Sequence, residues 1–119
     1  MLRASGQKSG KTYELRAVVE PSLDAGVAHG AELLNFSSAI VGADETALEA
    51  ARRDLDNCMG PQSVTAAATI AATFSLVDRA ANGVGIWVEP MVLKPSAGFR
   101  EELGINQFLS AQNTLARSS

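Results

Sequence analysis

The chain has 119 residues, with 46% hydrophobic and 19% charged side chains and a net charge of −3. That balance suits one globular domain with a modest core rather than a disordered chain, and the lack of a basic excess points away from nucleic-acid and anionic-membrane partners. A single cysteine rules out an internal disulfide, and no apolar run follows the basic N-terminal residues, so no secretory signal is expected and the cytoplasm is the expected location.

Residues 1–12 (MLRASGQKSGKT) are polar, basic and without periodicity, which reads as a flexible arm. Gly10–Lys11–Thr12 ends like a phosphate-binding loop. The glycine that motif needs five residues before Gly10 is replaced by Ser5, and no strand pattern precedes it, so nucleotide binding is not expected. Tyr13–Val19 fits a short helix or an extended segment until Pro21 interrupts it. Residues 1–20 are therefore arm and lead-in, and 21–119 a single helical domain.

A first helix is expected to start at a cap, Ser22 or Asp24, and run to about Val41. Val27, Leu33, Leu34, Phe36, Ile40 and Val41 form its apolar side. Gly26 and Gly30 weaken its first half by roughly 1 kcal/mol each relative to alanine, or mark places where another backbone comes close. Gly42 closes this helix and Asp44 caps the next, with Glu45 in its positive first turn. Leu48, Leu55 and Met59 form the second stripe, widened by Ala47, Ala51 and Cys58. Glu49 and Arg53 stand at the favourable i,i+4 spacing. Gly60–Pro61 then stops this helix sharply, making the following helix its antiparallel neighbour.

Val64–Ala81 contains no glycine or proline, and its charges are confined to Asp78 and Arg79. Ile70, Phe74, Val77 and Ala81 fall on one helical stripe; Ala66, Ala67, Ala71 and Ala72 lie opposite, with Thr65, Thr69, Thr73 and Ser75 interspersed. Such a helix, small or apolar all round, predicts burial at the centre of an all-α bundle of four to five helices. Its hydroxyls are free to bond back to carbonyls four residues earlier. The uncharged run is shorter than the roughly 20 residues a bilayer requires, so a membrane span is not expected. Asn82–Gly85 ends the helix. Ile86–Leu93 is expected to cover the core or form an interface, with Trp87 in an oligomer contact. Ser96 caps a short helix over Ala97–Leu103, Gly104 ends it, and Ile105–Leu115 forms a last helix.

Phe36–Val41, Asp44–Pro61 and Ala67–Ile86 together resemble the C-terminal part of the alkylhydroperoxidase D-like, or carboxymuconolactone decarboxylase-like, superfamily. The pattern Phe-Ser-x-Val-Asp-Arg-x-Ala-Asn-x-x-Gly-Ile, ending at Ile86, carries much of the likeness. The resemblance implies an all-helical fold, assembly into trimers or hexamers and, in active members, thiol-based peroxide reduction. That antioxidant chemistry uses a Glu-x-x-Cys-x-x-Cys-x-x-x-His element upstream of the matched region. No cysteine precedes Ala31 here, so no family catalytic residue carries over. The implied protein is a homo-oligomer (dimer, trimer or hexamer) acting as a scaffold, a small-ligand binder or a half completed by a second chain bearing the missing cysteines.

Three residues remain as candidates for catalysis, and the alternative to the non-enzymatic reading is a thiol-dependent peroxidase or a decarboxylase-like enzyme working through Cys58 or through His29 and Glu32. Cys58, near the C-terminal end of its helix where the dipole disfavours a thiolate, is either an inert, partly buried thiol or a peroxide-reactive one needing an external thiol. His29 and Glu32 share a helix face as base and orienter, or as two metal ligands. One histidine and one carboxylate are too few for a metal site, and neither metal nor cofactor is expected. Asp78 and Arg79 diverge around their helix and are expected to pair with other elements as a structural anchor, with anion binding by Arg79 as the alternative.

Overall fold

The computed structural model describes Gly6 and residues 10–116, and every regular element in them is helical, with no strand. The arm assigned to residues 1–12 falls largely outside that range. Three helices exceed two turns: α1 (Gly30–Val41), α2 (Glu45–Met59) and α3 (Pro61–Gly83). Three shorter ones follow, α4 (Pro90–Leu93), α5 (Ala97–Glu102) and α6 (Gln112–Leu115), with 3-10 turns at Leu15–Val18, Ile105–Gln107 and Leu109–Ala111. The chain divides into two compact units, residues 1–73 and 74–119, with α3 running through the division.

In the first unit α1 starts at Gly30, well after the Ser22 or Asp24 expected to cap it. Asp24 Oδ1 instead accepts from Gly26 N at 2.9 Å, closing a turn. Gly26 (φ +74°) and His29 (φ +54°) both take left-handed backbone, which a continuing right-handed helix excludes. A Cβ on Gly26 would stand 2.3 Å from the Thr12 carbonyl oxygen, so here the glycine does mark a close backbone approach. Glu14 N donates to Ala25 O nearby, and Ala17 is buried. The lead-in thus packs along the turn preceding α1.

Asp44 caps α2 as its sequence position requires, accepting from Thr46 N at 2.9 Å and Ala47 N at 3.0 Å. Gly60, at φ +83°, ends it and Pro61 opens α3. Phe36 from α1 and Ala51 and Leu55 from α2 form the core, with Leu33, Ala39, Ile40, Leu48 and Cys58 packed around them. Val41 and Met59, assigned to the apolar stripes, are instead exposed. Glu49 pairs with Arg52, one residue short of the expected Arg53.

The expectation for α3 is overturned in the single chain, where the helix carries no buried residue. Val64, Ala67 and Ala68 touch the core cluster, so α3 meets it with its small side chains. The residues of the large stripe are exposed, Ile70, Phe74 and Val77 at 59%, 66% and 56%. Small residues permit close helix approach, and the bulkier face has nowhere to go on so thin a core. Contact with that core is made at Val64, Ala67 and Ala68, and among the described residues α3 does not pack along α2 as the antiparallel neighbour expected. Thr69 and Thr73 do bond back to Thr65 O and Thr69 O, each at 2.8 Å.

In the second unit Gly85 (φ +67°) turns the chain out of α3, and Ile86 N donates to Ala81 O. Val88 N donates to Thr114 Oγ1 at 2.9 Å, tying the segment before α4 to α6. Ser96 is buried and occupies the cap position of α5 but does not cap it. Its hydroxyl donates to Leu93 O and accepts from Arg100 Nε, while the Arg100 guanidinium also reaches Leu93 O and Asn106 Oδ1. Gly104 ends α5 at φ +66°. The last helix expected over Ile105–Leu115 is broken into two 3-10 turns and one helical turn, because Phe108 (φ −71°, ψ 142°) is extended between them.

Candidate functional site

Gly42–Asp44 folds α1 back beside α2, so the start of α1 lies against the end of α2. Glu32 stands in the first turn of α1 and Cys58 in the last turn of α2. His29 precedes α1 as its N-cap rather than lying inside a helix as expected. Its carbonyl accepts from Leu33 N at 3.0 Å, opening the helix, while its imidazole makes no capping bond. One donor atom from each of His29, Glu32 and Cys58 lies within 4.8 Å of the other two. Chain folding thus unites the His–Glu pair and the thiol, which their separate positions in the sequence gave no reason to join.

This cluster sits one turn from the core. Leu55, wholly buried, is three residues before Cys58, and Phe36 is four after Glu32, so two of its side chains hang from the best-packed part of the hairpin. The Cys58 thiol donates to Leu55 O at 3.5 Å. Burial, and next the Glu32 carboxylate, push the thiol up from its ordinary value; the backbone N–H of Cys58 itself opposes this and Asp54 reinforces it. Asp54, four residues before Cys58, escaped notice in the sequence, although i,i+4 spacing places it on the same helix face. His29 is exposed, and Glu32 and Cys58 are half-buried. Among the described residues His29 is the one non-glycine with positive φ, a conformation costing about 1–2 kcal/mol and concentrated at functional positions.

An apolar cleft of about 200 Å³ lies along the first turns of α1, lined by Tyr13, Leu15, Val18, Val27, Leu33 and Leu34 among others. The lead-in supplies half of that wall, a role its ambiguous periodicity did not announce.

The remaining sequence candidates lie apart from this cluster in the chain. Asp78 and Arg79 are exposed on α3, and the hydrogen bond recorded for Arg79 runs to Ser75 on its own helix rather than to another element. Trp87 lies beyond α3 and is 39% exposed. No described helix is long and apolar enough to cross a membrane. Comparison with protein-family models, curated proteins and solved structures finds no match to this chain.

Proposed function

We propose that the chain is a helical scaffold that assembles from its own copies through the outer stripe of α3, in the manner of the alkylhydroperoxidase D-like superfamily that Ala67–Ile86 resembles. The observation carrying this reading is the exposure of Ile70, Phe74 and Val77 on a helix free of charge between Pro61 and Val77. Large apolar side chains so arranged mark interaction surfaces, and the flanking alanines and threonines allow a second helix to come close. Assembly in a reducing compartment such as the cytoplasm keeps Cys58 a thiol.

Size-exclusion chromatography with light scattering tests this. The wild-type chain is expected at a multiple of 12.4 kDa, and Phe74→Glu at the single-chain mass with its helix content unchanged. Phe74 lies outside the core cluster, so the substitution addresses the surface and not the fold. A wild-type chain that runs at 12.4 kDa across the accessible concentration range overturns the proposal; a mass restored only by a different polypeptide identifies the completing second chain instead.

The convergence of His29, Glu32 and Cys58 supports a second reading, a thiol-dependent peroxidase. The Cys58 sulfur attacks a peroxide oxygen, the O–O bond breaks and a sulfenic acid forms. The leaving oxygen takes a proton through His29 and departs as water or alcohol. An external thiol then displaces the sulfenic oxygen as water, forming a mixed disulfide that a second equivalent reduces. The upward push on the thiol opposes this chemistry, because the thiolate is the nucleophile. Peroxide consumption in the presence of excess thiol is therefore expected to match the background and to be unaltered by Cys58→Ser; turnover abolished by that substitution establishes the enzymatic reading.

A further inference from the structure

The geometry points to a metal site: His29, Glu32 and Cys58 together form a three-ligand centre for a zinc-class divalent transition metal, with a fourth position left to water. It is independent of assembly through α3, since its ligands come from the α1–α2 hairpin and the residue before it.

The donor set comes first. Imidazole nitrogen, carboxylate oxygen and thiolate sulfur are the three ligand types that zinc accepts, and three protein ligands plus water is the arrangement of its reactive centres. Calcium and magnesium want oxygen throughout, so one oxygen beside nitrogen and sulfur selects against both. Spacing comes next. Around a tetrahedral zinc, bond lengths of about 2.0–2.3 Å put neighbouring donor atoms roughly 3.3–3.7 Å apart. The three donors here already lie within 4.8 Å of one another, so a contraction of about 1 Å suffices. Glu32 has three side-chain torsions with which to supply it, and the exposed His29 ring is free to turn.

The scaffold supports the same conclusion. Two ligands stand on opposite helices of a hairpin locked by Phe36, Ala51 and Leu55, which fixes their backbones before any ion arrives. The third is held in left-handed backbone at the N-cap, a strained position that hydrophobic packing does not explain, since His29 is exposed. A divalent ion takes the sulfur as thiolate, the thiol proton leaving to solvent.

Cobalt(II) serves as the probe, because thiolate ligation gives it a charge-transfer absorption in the near ultraviolet. The reduced full-length chain is titrated with cobalt at neutral pH, and zinc is then measured by competition with a chromophoric chelator. One cobalt per chain is expected, displaced by zinc, with the charge-transfer band lost in Cys58→Ser. His29→Ala and Glu32→Gln are each expected to weaken zinc at least tenfold while keeping the helical circular dichroism of the parent. Zinc is also expected to protect Cys58 of the unmodified chain from alkylation, which tests the site without any substitution. Absence of the charge-transfer band overturns the proposal. So does cobalt affinity unchanged in both His29→Ala and Glu32→Gln, which reduces the binding to a lone thiol. A stoichiometry of one metal per two chains overturns the single-chain ligand set.

Discussion

Leu55→Ala is expected to destabilise the first unit by about 3 kcal/mol, within the 2–5 kcal/mol typical of a buried leucine truncation. Leu55 is completely buried and meets Phe36 and Ala51 at the centre of the one core cluster found among the described residues. Folded domains have about 5–15 kcal/mol in total, so this one side chain represents a large share. The corresponding fall in melting temperature is about 15 °C for a unit of this size. Met59→Ala provides the contrast. Periodicity assigns Met59 to the same stripe, but it is 44% exposed, and its truncation should cost under about 1 kcal/mol. Thermal melts of the two variants decide the matter; equal losses would show that the core does not lie between α1 and α2 as described. Because Cys58 lies one turn beyond Leu55, the same truncation is expected to loosen the His29–Glu32–Cys58 cluster.

Gly26→Ala is expected to cost about 2 kcal/mol or more. Its φ of +74° carries a penalty of about 1 kcal/mol for any residue with a Cβ. The new methyl would also sit 2.3 Å from the Thr12 carbonyl, and a backbone atom yields only if the lead-in moves. Gly104→Ala isolates the first contribution, because Gly104 is left-handed at φ +66° and an added Cβ meets nothing closer than 3.7 Å. It should lose about 1 kcal/mol, and denaturant unfolding of both variants gives the cost of the close approach by difference. Equal losses would mean that the lead-in does not pack on that turn. The consequence reaches the candidate site: Gly26 begins the turn that ends at His29, so displacing it moves a ligand.

Local instructions in this chain are readily legible. Asp44 caps α2 through the same side-chain oxygen that its position before Glu45–Ala47 requires, because capping involves only neighbours in sequence. Gly60–Pro61 and Gly83–Gly85 end their helices for an equally local reason, and the α3 threonines find partners four residues back on the same helix. Failures cluster where a local pattern supports two outcomes. Asp24 precedes an apolar run and resembles a helix cap, but two left-handed residues follow it, and the first of them, Gly26, has the Thr12 carbonyl lying alongside. The segment around Phe108 has helical composition, and an extended residue interrupts it.

By itself the sequence determined an all-helical chain and the ends of α2 and α3. Hydrogen bonding within a few residues is enough to specify those things. Only the tertiary structure decided that Cys58 stands beside His29 and Glu32, since that proximity arises from closing the α1–α2 hairpin on Phe36 and Leu55. It also decided which face of α3 meets the core. Periodicity names a helix's larger apolar stripe but not its neighbour, and a small core packs more closely against Val64, Ala67 and Ala68 than it could against Ile70.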